Sequence, residues 1–251
     1  MRAVLYVSHG SRVNAGVDQA RNFIQSCMER LSVPIQEICF LELVQPSIKE
    51  GIEQCIRRGA TEIVIQPVLL LAAGHVKKDI PSEVNKMRAC YPHILFSYGE
   101  PFGHDARIIE ILSERLYQKG TPILGEAMIL LVGRGSSDPG VKDDFKTISE
   151  ALWNKEGLPI QSCFLAACQP RLLEGVQLAQ KSGFSQIFVL PYLMFTGLLM
   201  HELKQAIGTF KSATQTYFLC DSIGSHEKLK QILVERVHAA ITLTASHEVN
   251  L

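Results

Sequence analysis

The second half of the chain repeats the first. Cys39-Phe40-Leu41 returns as Cys163-Phe164-Leu165, Gln45-Pro46 as Gln169-Pro170, and Glu50-Gly51 as Glu174-Gly175. Gly59, Ile63, Pro67 and Leu69 return as Gly183, Ile187, Pro191 and Leu193, and subtracting position 67 from position 191 gives the shared offset of 124. A fixed offset over this many positions marks an internal duplication, so one half must fold like the other. Glycine and proline cluster at residues 120–125, between periodic segments, and this cluster sets the expected boundary. Two similar domains are expected, residues 1–120 and residues 126–251.

Each half reads as alternating strands and helices. In the first, residues 3–8, 35–41, 62–70 and 94–98 are short apolar runs with the character of buried strands. Between them Val17, Ala20, Ile24, Met28 and Leu31 fall at helical spacing, as do Ile48, Ile52, Cys55 and Ile56 after Pro46. Residues 76–89 are expected to be helical with an interruption near Pro81, and residues 104–117 form a further helix. In the second half, strands are expected at 128–132, 160–165, 187–193 and 216–219. A helix follows Pro170, and a terminal helix covers about 226–240. Short connections between such elements imply parallel sheets covered on both faces. The fold class is therefore α/β, with two similar doubly wound parallel-sheet lobes and a cleft between them, where ligands commonly bind.

Composition narrows the function. Lys plus Arg (25) equals Asp plus Glu (25), which argues against a nucleic-acid partner. The longest apolar stretch, residues 187–200, is interrupted by Pro191, Thr196 and Gly197 and falls short of a membrane span. The apolar run at residues 3–7 follows a single basic residue and meets Ser8-His9-Gly10, which reads as a buried strand and not a secretion signal. Seven cysteines without a C-x-x-C pair read as reduced thiols of a cytoplasmic protein. The loop Gly133-Arg134-Gly135-Ser136 contains neither G-x-G-x-x-G nor a P-loop, so nucleotide binding has little support.

Chemistry-bearing side chains sit at three strand ends of the first half. His9 follows the first strand, Glu42 the second, and His75 lies just past the third. In a sheet of order 2-1-3-4 those strands are neighbours, about 4.8 Å apart, and ligands bind outside their carboxyl ends. The repeat serves as a control. With a one-residue loop adjustment His9 corresponds to Arg134, Glu42 to Ala166 and His75 to Leu199. A duplicated framework that keeps this trio in one half suggests one active site per chain. His201 is two positions out of register with His75 and is not expected to replace it. Glu42 alone reads equally as a solvated loop residue.

Several segments together resemble the CbiX/SirB group of class II tetrapyrrole chelatases. They are Ser8-His9-Gly10-Ser11-Arg12, Phe40-Leu41-Glu42 with Gln45-Pro46, and Pro67 through Gly74-His75, followed by Asp79-Ile80-Pro81. The resemblance spans nearly the whole chain, the second half being similar to the degenerate second copy of the long members. It implies insertion of Fe2+ into sirohydrochlorin, giving sirohaem, with the metal as substrate and no permanently bound cofactor. It implies His9 and His75 as metal ligands, with His9 also accepting a proton and Glu42 beside them. It implies substrate contacts from Gln45 and from Leu70, Leu71, Ala72, Ala73 and Gly74. A histidine-rich tail and a cysteine cluster suited to an iron–sulfur centre are missing, which favours iron over cobalt, with Co2+ as the alternative metal.

The chemistry agrees with the residue types. Metallation exchanges two pyrrole N–H protons for one divalent cation. Imidazole suits Fe2+ and Co2+ near neutral pH, and two histidines leave coordination positions open for transfer. A flat apolar ring edged with carboxylates calls for an apolar floor, from residues 69–73 and from Leu193, Met194, Phe195, Leu198, Leu199 and Met200. It also calls for a cationic rim, for which Arg12, Lys77, Lys78, Arg134 and Arg171 are placed. A carrier that delivers metal without catalysis would explain the histidines but not the apolar segments. The expected oligomeric state is a monomer or a weak homo-oligomer.

Overall fold

In the computed structural model the described residues are 1–118, 120–210 and 213–248, the side chains of 243–248 excepted. The first sheet contains β1 (Arg2–Ser8), β2 (Ile35–Phe40), β3 (Glu62–Pro67) and β4 (Leu95–Tyr98), in the order β2-β1-β3-β4 with every pairing parallel. The second contains β5 (Ala127–Gly133), β6 (Ile160–Phe164), β7 (Gln186–Tyr192) and β8 (Thr216–Leu219), in the matching order β6-β5-β7-β8, again all parallel. The expected 2-1-3-4 order thus holds in both sheets. β1 and β5 are central and buried along almost their whole length, as strands covered on both faces must be.

Around these sheets run α1 (Asn14–Met28), α2 (Ile48–Arg57), α3 (Ile80–Cys90), α4 (Ala106–Tyr117), α5 (Gly140–Glu156), α6 (Leu172–Lys181), α7 (Leu198–Thr209) and α8 (Glu227–Glu248). Among the described residues no helix is long and apolar enough to cross a membrane. The matched letters of the repeat have local causes. Ser47 opens α2 with a capping box: its Oγ accepts from Glu50 N at 3.3 Å, and Glu50 Oε2 accepts from Ser47 N at 2.7 Å. One turn on, a Cβ added to Gly51 would lie 2.7 Å from Leu5 Cδ1 and 3.0 Å from Cys39 Cβ. Gly175 stands in the same relation to Cys163, at 2.5 Å. The paired Cys and Gly therefore let a helix seat directly on its sheet. Each fully buried Leu or Ile at this seam, such as Leu5 and Ile63 of the sheet and Ile52 of the helix, contributes about 1.5–3 kcal/mol relative to exposure.

Two stretches differ from the sequence expectation in form. Residues 76–89 do not make one interrupted helix. A π-helical turn, His75–Asp79, precedes α3, and Ile80 N donates to His75 O. Pro81 has no N–H to give to the carbonyl four residues back and its ring crowds that carbonyl, so the chain widens there. Residues 198–200, expected as a segment trailing β7, instead form the first turn of α7.

The chain divides into two compact units, Met1–Gly103 together with α8, and His104–His226. These units do not coincide with the sequence halves. α4 belongs by sequence to the first half but packs on α5 and β7, and α8 belongs to the second half but packs on α1, β3 and β4. Each repeat's last helix thus covers the other repeat's sheet. Arg30 pairs with Glu227 through both guanidinium nitrogens, and Arg236 Nη2 donates to Phe102 O at 3.4 Å, both within the first unit. Within the second, Arg115 Nη2 donates to Ile223 O at 2.7 Å and His226 Nε2 lies 2.8 Å from Glu114 Oε2.

Candidate active site

The carboxyl end of β1 carries His9. The β1–β2 pairing runs on past both strands, with Leu41 N donating to Ser8 O at 2.9 Å and Glu42 N to His9 O at 3.2 Å. Gly10 makes this approach possible. Its φ is +96°, and a Cβ there would lie 2.0 Å from Glu42 O. Glu42 is thereby held next to the histidine, with Oε1 3.5 Å from His9 Nδ1. Gly10 O is 3.3 Å from the same nitrogen.

His75 reaches the same place from β3, the other neighbour of β1. The segment between is tied down by Phe102 N to Leu69 O at 3.1 Å and Gly103 N to Leu70 O at 2.8 Å. Val76 N and Lys77 N then both donate to Ala73 O, which starts the π-helical turn. His75 Nδ1 lies 2.7 Å from Asp79 Oδ2. The rings of His9 and His75 meet edge to face, with centroids 4.8 Å apart and planes at 86°. Their side chains are 26% and 30% exposed, while the Nε2 atom of His9 is itself buried in the pair.

The groups beside both Nδ1 atoms are oxygen acceptors: a carbonyl and a carboxylate at His9, a carboxylate at His75. An acceptor calls for the N–H on the nitrogen it faces, which leaves the lone pair of each neutral ring on Nε2. Two nitrogen donors backed by carboxylates suit a divalent ion of the later transition series. No three His, Cys, Asp or Glu side chains converge as a closed cage among the described residues. An arrangement with two donors can pass an ion on, whereas a closed four-ligand shell retains it.

His9, Glu42 and His75 are thus brought together. Leu70, Leu71, Ala72, Ala73 and Gly74 form the half-buried approach to His75. Gln45 is exposed and already engaged: its Oε1 accepts from Ser47 N at 2.8 Å and its carbonyl from Arg21 Nη2 at 2.9 Å. Of the cationic residues near this site in sequence, Arg12, Lys77 and Lys78 are exposed. Asp79 received no role from the sequence beyond its place in the motif, although its four-residue spacing from His75 was the available signal.

The second unit repeats the backbone without the chemistry. Ala166 N donates to Arg134 O at 2.8 Å, and Gly135 has φ +84° with a Cβ position 1.8 Å from Ala166 O. Arg134, Ala166 and Leu199 occupy the places of His9, Glu42 and His75. His201 is exposed on α7.

Fold and site together define a duplicated parallel α/β protein with an imidazole pair at the carboxyl ends of neighbouring strands, where such sheets take their ligands. The CbiX family model matches the chain twice, over residues 3–119 and 128–240, and the chain belongs to the CbiX family. It is 48% identical to a sirohydrochlorin ferrochelatase of Priestia megaterium, over 96% of this chain and 91% of that protein. It is 36% identical to a sirohydrochlorin cobaltochelatase of the same organism, over 96% of this chain and 80% of the relative. Among solved structures, SirB from Bacillus subtilis with Fe3+ superposes with a TM-score of 0.84 at 39% identity, covering 95% of each chain.

Proposed function

We propose that this chain is a sirohydrochlorin ferrochelatase, which inserts Fe2+ into sirohydrochlorin to give sirohaem. The observation that carries the reading is the edge-to-face pair of His9 and His75, 4.8 Å apart at the strand ends of the first unit. The 48% identity to a protein of that activity supports it over nearly the full length.

On this reading His9 and His75 present the ion through Nε2. The macrocycle gives up two N–H protons as its four nitrogens take the metal, so one dication enters and two protons leave. Once the ion has passed to the ring nitrogens, the freed Nε2 of His9 accepts one of the two protons, Glu42, its Oε1 3.5 Å from Nδ1, stabilises the imidazolium that forms, and the second proton passes to water. The incoming cation's own charge favours proton loss from the pyrroles. Leu70, Leu71, Ala72, Ala73 and Gly74, with Gln45, contact the ring, and exposed cations such as Arg12, Lys77 and Lys78 face its carboxylates. The enzyme works in the cytoplasm as a monomer or weak homo-oligomer and keeps no cofactor permanently.

Co2+ is the alternative metal, favoured by the 36% identity to a cobaltochelatase. The deciding experiment mixes purified protein with sirohydrochlorin and either Fe2+ or Co2+ without oxygen and follows the absorbance of the ring. Faster metallation than in the protein-free control with Fe2+ is expected. Binding of metal with no acceleration of metallation would leave a carrier instead.

A further inference from the structure

We infer that Asp79 is a positioning residue for metal delivery, holding His75 in the tautomer whose lone pair lies on Nε2. The inference rests on the reading of His75 as a group that presents the ion. Asp79 Oδ2 sits 2.7 Å from His75 Nδ1, and a carboxylate can only accept, so Nδ1 carries the hydrogen. An imidazole in the other tautomer would offer an N–H to the cation where a lone pair is needed. The same contact fixes the ring about its terminal torsion and makes Nε2 the more basic donor.

Three further observations assign the carboxylate to this task. Asp79 stands immediately before α3, where an aspartate ordinarily caps the helix, yet it makes no side-chain cap and its own backbone is helical, φ −72° and ψ −48°. The turn that unites the pair is itself set by sequence. Pro81 withholds its N–H, Ile80 bonds back to His75 O, and residues 75 and 79 come to lie alongside each other. Finally, the degenerate repeat has lost both members. At the shared offset Leu199 replaces His75 and Leu203 replaces Asp79, and Leu203 is fully buried in the core.

The test uses the full chain and the variants D79A, D79N and H75A. Long-range proton–nitrogen correlation spectra, taken without metal and above the titration range of an ordinary histidine, report which nitrogen of His75 carries the hydrogen. Visible absorption on titration with Co2+ alone reports affinity. The unaltered chain is expected to show the Nδ1–H pattern. D79A is expected to lose it and to bind Co2+ about 10–100-fold more weakly. D79N, which keeps a carbonyl acceptor, is expected to recover the pattern and part of the affinity. Asp79 is exposed and caps nothing, so urea midpoints of the variants should match that of the unaltered chain. A D79A chain that keeps either the Nδ1–H pattern or its Co2+ affinity overturns the inference. H75A separates the two levels: if it binds Co2+ as the unaltered chain does, the reading of His75 itself fails, whatever Asp79 does.

Discussion

Gly10 and Glu42 approach so closely that a Cβ on the glycine would lie 2.0 Å from the glutamate's carbonyl oxygen. The loop carrying His9 can therefore lie against the loop carrying the carboxylate only while position 10 has no side chain and φ stays at +96°. His9 and Glu42 are joined through backbone, Glu42 N donating to His9 O, with side-chain packing secondary.

Gly10→Ala is expected to cost about 1–3 kcal/mol, from the left-handed φ and the clash together. Gly135→Ala meets the same obstruction, at 1.8 Å from Ala166 O, and should lower the urea midpoint similarly. The two should part in metallation rate per folded molecule: the first falls, because Glu42 is pushed from His9, and the second holds. Equal loss in both would mean that the second unit contributes reacting groups.

His9→Ala and His75→Ala are each expected to abolish ring metallation, with losses beyond the roughly 10–100-fold that follows removal of an outer partner of a metal ligand. His201→Ala should metallate at the unaltered rate. Anaerobic absorbance of sirohydrochlorin with Fe2+ measures all three. An inactive His201→Ala would move the site to another register of the repeat.

Alkali should weaken the fold through its thiols. Burial pushes Cys27 up to about 11, and Cys55 and Cys163 up to about 12, from an ordinary 9.0. The unfolded chain therefore gives up these protons first. Their stabilising contribution is complete below about pH 9 and drains away as pH climbs towards 11–12. Urea midpoints should fall between about pH 8 and about pH 10.5, and replacing Cys55 with Ser should flatten that slope. A midpoint independent of pH over this range would contradict the assignment.

Thiol labelling should be selective. Of the seven cysteines Cys90 is exposed and the other six are buried. A brief exposure to iodoacetamide at neutral pH is expected to add one group per folded chain, at Cys90, as read by peptide mass. The remainder should react only in denaturant, because burial keeps the reagent from them. Rapid modification of Cys39 or Cys163 would show the helix–sheet seating at Gly51 or Gly175 to be open.

Much of this molecule is legible in its letters. Strand order follows from apolar runs and short connections, and both sheets obey it. The His9 and His75 convergence follows from strand ends in that order. Other features depend on forces that the pattern conceals. Glu42 belongs by sequence to the strand-end trio but alone reads equally as a solvated loop residue, and it is Gly10's φ that brings its backbone to His9. Leu198 to Met200 reads as a trailing apolar run because α7 buries only Leu203 and Ile207 and leaves little periodicity at its start. Asp79's partner is hidden by Pro81, which looks like a helix break and produces a wide turn instead. Residues 120–125 mark where the duplication restarts, yet they say nothing about where α4 and α8 dock, since uncovered sheet faces decide that.

That exchange of terminal helices has a bearing on biogenesis. In chain order the helix that shields β3 and β4 begins 152 residues after His75, counting from position 75 to position 227. Over that interval of synthesis the nascent chain carries the strand-end histidines on a sheet with one flank bare. The first unit therefore completes its packing only after the whole of the second has been made.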